Sequence, residues 1–118
     1  VEIDLSVNAY IPDYYIDDEL IKLEMYKKIA CIDSMDDLVE VKNELEDRFS
    51  DMPKPVETLL NIAYIKSLCK KLKIEKVRQL KNEIILEPLT KYKTKEMLGH
   101  KIVKELEELL EKMLKLNN

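Results

Sequence analysis

The chain has 118 residues, 46% apolar and 37% charged, with a net charge of −4; this is one domain's worth of helix-rich sequence, too apolar to stay disordered. No apolar run approaches the roughly 18 residues of a membrane span, and no basic, apolar, small-residue leader opens it. A single glycine excludes a glycine-rich phosphate loop.

The net charge hides an asymmetry. Residues 1–52 carry 15 acids and 5 bases, a balance of −10, whereas residues 53–118 carry 9 acids and 15 bases, a balance of +6. An acidic front half argues against nucleic acid as its partner and for a basic protein surface. Opening at Val1 inside a strand pattern, without an initiator methionine, the chain reads as a piece of something larger.

Residues 1–9 alternate, with Val1, Ile3, Leu5, Val7 and Ala9 apolar and polar residues between them. That is the pattern of a strand with one buried face. Pro12 ends it, and residues 10–16 read as an ordered loop whose tyrosines fold back on the core. Asp17, Asp18 and Glu19 then place negative charge where a helix N-terminus favours it. The first helix runs to Ile32, with Ile21, Met25, Ile29 and Ile32 inward. Asp33 and Ser34 separate it from a second helix, Met35 to Phe49, whose apolar stripe is Leu38, Val41, Leu45 and Phe49. Pro53 and Pro55 suit the first turn of a third helix reaching Leu72. Its apolar positions form two neighbouring stripes, one with Val56, Leu59, Leu60, Ala63 and Ser67 and one with Ile62, Ile65, Cys69 and Leu72. Together they span more than half the circumference, so this is a central helix rather than one resting on a surface.

Residues 75–80 and 83–89 read as two strands joined at Lys81-Asn82, with Ile84, Ile85 and Leu86 as the apolar centre. A polar break at 90–94 precedes a last helix over 95–116, where Leu98, Ile102, Leu106, Leu109, Met113 and Leu116 form one ridge. Glu108–Lys112 and Glu111–Lys115 stand in the favourable order on its exposed face. The expected class is α+β: a helical cluster of about four helices packed on a small mixed sheet of about three strands, over a single domain. Cys31 and Cys69 fit no metal or redox spacing and read as reduced core thiols of a cytosolic protein.

The second helix carries the most informative polar pattern. Asp37, Glu40, Glu44 and Asp47 recur at intervals of three, four and three residues, which puts all four carboxylates on one strip. Like charges so spaced repel, so helix stability does not ask for them. Either the strip is a solvated face or it is held out for a partner bearing arginines, which grip carboxylates with two charged hydrogen bonds. Nothing points to catalysis, a metal or a cofactor: His100 stands alone after the glycine, and no nucleophile has a base at motif spacing.

Four segments in order carry a resemblance. They are an IPDYYI loop at 11–16, a YKKIA segment at 26–30, a helix ending ELEDRFS at 44–50, and the Pro53-x-Pro55 entry to a long apolar helix. In this order the chain resembles the C-terminal domain of the bacterial transcription-repair coupling factors, the Mfd family, over residues 1 to 74. The resemblance implies a non-catalytic regulatory domain of a larger, cytoplasmic, ATP-driven DNA translocase. That translocase displaces stalled RNA polymerase and recruits UvrA in nucleotide excision repair. It further implies that the domain packs on an N-terminal UvrB-like module, masks the UvrA-binding surface and restrains the motor. By motif position Glu44 and Asp47 would meet arginines of that module, with Glu40 and Asp37 supporting. This reading needs Glu44 and Asp47 to be free of lysines and arginines of the same domain. Two departures stand out: Ser50 replaces the family's usual glycine, and the stretch at 90–95 is shorter than expected by a helix and a strand pair. The alternative is a nucleic-acid-contacting module using Lys66, Lys70, Lys71, Lys73, Lys76 and Arg78.

Overall fold

Side chains at the loop–helix junctions determine where the first helices begin. Asp18 caps the first helix, α1 (Glu19–Ala30), its Oδ1 accepting from the backbone N–H of Leu20 and Ile21 at 2.9 and 3.0 Å. Ser34 does the same for α2 (Met35–Arg48), its Oγ accepting from Asp37 N–H at 3.1 Å. Each bond satisfies a backbone donor that the helix itself leaves orphaned. Pro55 lies in the first turn of α3 (Lys54–Lys71), and the Pro53 carbonyl starts its ladder by accepting from Val56 and Glu57.

The computed structural model describes residues 1–80, 83–87, 90–93 and 99–116, with 90–93, 99 and 100 by backbone alone. The expected Lys81-Asn82 turn and Leu98 lie outside the described residues. Among the described residues, four helices and one mixed sheet make the class α+β, as the periodicities require. The chain divides into two compact units, residues 8–64 and residues 1–7 with 65–118.

In the first unit, Met25, Ile29 and Ile32 of α1 and its C-terminal extension are buried with Leu38 and Leu45 of α2 and Val56 and Leu60 of α3. The 10–16 loop is tied down from both sides. Tyr26 Oη accepts from Ile11 N–H at 2.8 Å, and Tyr15 Oη donates to the Ser50 carbonyl at 2.7 Å while its ring packs on Phe49. Only one of the three loop tyrosines folds back as expected. Tyr10 and Tyr14 are exposed, Tyr14 at 76%. The burial falls instead on the aliphatic residues Ile11 and Ile16.

In the second unit a four-stranded sheet runs in the order β1 (Glu2–Asp4), β2 (Lys76–Leu80), β3 (Glu83–Glu87), β4 (Thr90–Lys93). β1 lies parallel to β2, pairing Ile3 with Val77, and the other two pairings are antiparallel. The ladder of β1 stops at Asp4, though alternating exposure continues to Ala9. β4 occupies part of the expected polar break: it pairs Tyr92 with Ile84 and Lys91 with Ile85 on the outer edge of β3. Backbone hydrogen bonding, which is blind to side-chain polarity, makes this strand. Val77, Ile84 and Leu86 are buried, and α4 (Gly99–Leu116) buries Ile102, Val103, Leu106 and Leu110.

α3 ends in a Schellman turn. Ile74 N–H donates to the Cys69 carbonyl at 2.8 Å and Lys73 N–H to that of Lys70 at 3.3 Å, with Lys73 at φ 61°. Among the described residues this is the positive φ outside glycine, so Ser50 carries no left-handed strain in the family's glycine position. Cys69 is a buried thiol as expected, but Cys31 is exposed. It caps the C-terminus of α1, where the chain turns away from the apolar stripe.

Candidate functional site

The α1–α2 hairpin presents the strip to solvent beside a cleft of about 410 Å³. Lys27, Lys28, Cys31 and Ile32 line one wall of that cleft and Asp37, Glu40, Val41 and Glu44 the other. Ion pairs link residue 28 with 44 and residue 24 with 48, so the two helices run antiparallel.

The four carboxylates of the strip meet different fates. Glu44 is not free. Its Oε2 accepts from Lys28 Nζ at 2.6 Å and from Arg48 Nη1 at 3.2 Å, and the Lys28 hydrogen bond above all holds its carboxyl below the usual range. Both bonds fall on Oε2, and Oε1 has no partner among the described residues. The expectation that Glu44 stands clear of in-domain cations is therefore corrected. Lys28 reaches it across the hairpin, and Arg48 lies one turn along the same helix face.

Asp37 works at the start of α2, its Oδ2 accepting from Asp33 N–H at 3.0 Å while its own N–H goes to Ser34 Oγ. This is a variant of the capping box, in which two side chains satisfy backbone donors across the helix start. Glu40 and Asp47 are exposed, with no hydrogen bond or ion pair among the described residues. The strip is thus two open carboxylates flanking one that is half engaged.

Arg48 anchors the far end. It lies 3.7 Å from Glu24 and from Met25 Sδ, and its guanidinium stands 5.2 Å from the centroid of the Phe49 ring. Tyr15 Oη, bonded to Ser50 and at 3.3 Å from the Leu45 carbonyl, closes the C-terminal turn that carries Asp47. Sequence reading missed Lys28, Arg48, Glu24 and Tyr15 as site residues. Arg48 stands four residues from Glu44 on the same helix, a spacing that could have shown it. Lys28, Glu24 and Tyr15 meet partners 16 to 35 residues away, where no spacing rule within one helix reaches.

The alternative basic surface is less open than its sequence. Lys76 pairs with Glu2 at 3.3 Å and Arg78 with Glu87 at 2.9 Å, both within the sheet. Lys70 and Lys71 sit in the last turn of α3, where the helix dipole favours cations without any ligand.

Comparison with known proteins is consistent across three kinds of similarity. The TRCF domain family model matches residues 5–98. The transcription-repair-coupling factor of Staphylococcus epidermidis is 36% identical over 111 residues, covering 92% of this chain and 9% of that protein. That of Staphylococcus aureus (strain USA300) is 46% identical over 66 residues, 56% of this chain and 6% of that protein. The chain thus spans less than a tenth of the length of these curated relatives. A crystal structure of the C-terminal domain of transcription-repair coupling factor superposes with a TM-score of 0.85 at 26% identity, covering 99% of this chain and 95% of that one. That coverage leaves no room for a missing helix and strand pair at 90–95 relative to that structure.

Proposed function

The chain belongs to the TRCF domain family, as a C-terminal domain of a transcription-repair coupling factor, and we propose that it works as the autoinhibitory latch of its parent. In this reading it docks on the parent's N-terminal UvrB-like module through the α2 strip. The docked state covers the surface that UvrA binds and holds a cytoplasmic, ATP-driven translocase at rest. The domain contributes no catalytic group of its own; its chemistry is charge complementarity.

The observation that supports the reading is the open pair on α2. Glu40 and Asp47 are exposed and unpartnered among the described residues, on a helix that gains nothing from like charges so spaced. Asp47 leads the contact and Glu40 flanks it. Glu44 takes part through Oε1, as a single charged hydrogen bond rather than a two-pronged grip. Asp37 supports indirectly by fixing the start of the helix. Breaking one such desolvated pair costs about 2–5 kcal/mol, which shifts a closed-to-open balance tenfold or more.

The test is charge reversal of Asp47 and Glu44, together and singly, in the intact parent protein, reading UvrA affinity and resting ATPase. Both rise if the latch is released. If neither changes when both residues are reversed, the strip is a solvated face and the latch reading is wrong.

A further inference from the structure

We propose that Lys28 is an internal rival of the docking partner: it occupies the central carboxylate of the strip and so sets how weakly the latch closes. The inference rests on the latch reading above and adds a residue from outside the strip, on a different helix.

Lys28 Nζ lies 2.6 Å from Glu44 Oε2, shorter than the Arg48 contact on the same oxygen at 3.2 Å. Two cations therefore converge on one carboxylate, and Glu24 lies 3.7 Å from the second of them. An incoming guanidinium meets at Glu44 a site already neutralised, with only Oε1 open. To engage both oxygens it must displace Lys28, since Arg48 is further anchored at Glu24, at Met25 Sδ and over the Phe49 ring. Lys28 has no second partner among the described residues. Its side chain keeps 42% exposure and that of Glu44 32%, so the pair is reachable from solvent and able to exchange. A latch that must open benefits from such a rival, because the lysine recaptures Glu44 as the partner leaves. Lys27 lines the same cleft wall without touching Glu44, and so supplies a charge control one residue away.

The experiment titrates the chain with the purified UvrB-like module of the same parent and compares Lys28→Gln, Lys27→Gln, Glu44→Gln, Asp47→Asn and the Lys28→Gln/Glu44→Gln double variant. Lys28→Gln is expected to bind about two- to fivefold tighter, the scale of one partly exposed ion pair. Lys27→Gln should leave affinity unchanged, and the Lys28→Gln gain should vanish in the Glu44→Gln background. Equal tightening by Lys27→Gln would reduce the effect to the general field of a positive charge and overturn the proposal. So would a Lys28→Gln gain that survives the loss of Glu44, or no gain at all. If Asp47→Asn and Glu44→Gln each leave affinity unchanged, the latch reading itself fails and carries this inference with it. Thermal melts of each variant separate lost folding from altered docking.

Discussion

Glu107 on α4 is the place where a pH change acts most directly on this fold. It is 5% exposed, its Oε1 has no hydrogen-bond partner among the described residues, and Lys104 Nζ stands 3.8 Å from its Oε2. Burial pushes its carboxyl from the ordinary 4.5 up to about 7; Lys104 pulls the other way, and Glu111 and Glu108 add to the rise. Below pH 4.5 both folded and unfolded chains hold the proton, and Glu107 costs nothing. As pH climbs to about 7 the unfolded chain gives up its proton while the folded chain keeps it. Stability therefore falls across that window and levels off above it. At about 1.4 kcal/mol per pH unit, the full span amounts to at most about 3.5 kcal/mol. Glu107→Gln removes the titration. Its amide brings a steric and hydrogen-bonding cost of its own, but that cost does not vary with pH. Urea unfolding of both proteins at fixed ionic strength, from pH 4.5 to 8, should show the Gln variant gaining on the parent chain by about 2–3 kcal/mol as pH rises. Parallel stability curves would refute the reasoning, as would a gap that widens toward acid.

Three further outcomes follow from the same structure. Lys73→Gly should stabilise by about 0.5–1 kcal/mol in urea unfolding, because glycine adopts the φ of 61° that lysine holds at a cost; Lys73→Val should lose at least as much. Native alkylation with iodoacetamide at pH 8, read by mass spectrometry with peptide mapping, should modify the exposed Cys31. It should spare Cys69, whose thiol burial pushes up to about 11, until the chain is unfolded. Met25→Ala, at a fully buried position under Arg48, should cost about 2–5 kcal/mol in the same unfolding assay. A cost under 1 kcal/mol there would mean that the α1–α2 hairpin is not a packed unit.

The site divides by the range of the interactions that make it. The spacing of Asp37, Glu40, Glu44 and Asp47 along α2 is a property of the 3.6-residue turn, and it placed them on one strip without any knowledge of neighbours. Which of them remained open was settled by Lys28 from another helix and by the capping geometry at Ser34. A carboxylate on a helix surface has the same sequence signature whether or not a lysine reaches it. Glu107 makes the same point from inside. It falls between two ridge positions of an amphipathic helix, where a glutamate reads as solvent-facing, yet it lies buried.

The sequence by itself determined the kinds and order of the helices and strands up to residue 87, the inward faces of α1 and α2, and the family. These depend on periodicity, caps and motif order, which are local and survive translation into three dimensions unchanged. On α3 it found Val56, Leu60, Ile65, Ser67 and Cys69 but not the buried Thr58, Tyr64 and Leu68. Tertiary structure alone decided that β1 pairs in parallel with β2 some 74 residues later, that β3 carries a fourth strand, and that Tyr15 rather than Tyr14 is held. It also decided that Glu44 is shared between two cations. Each of these is a pairing chosen by which surfaces or backbone edges meet, between separate elements except for the i,i+4 contact of Arg48 with Glu44, and periodicity within a single segment holds no information about its partner.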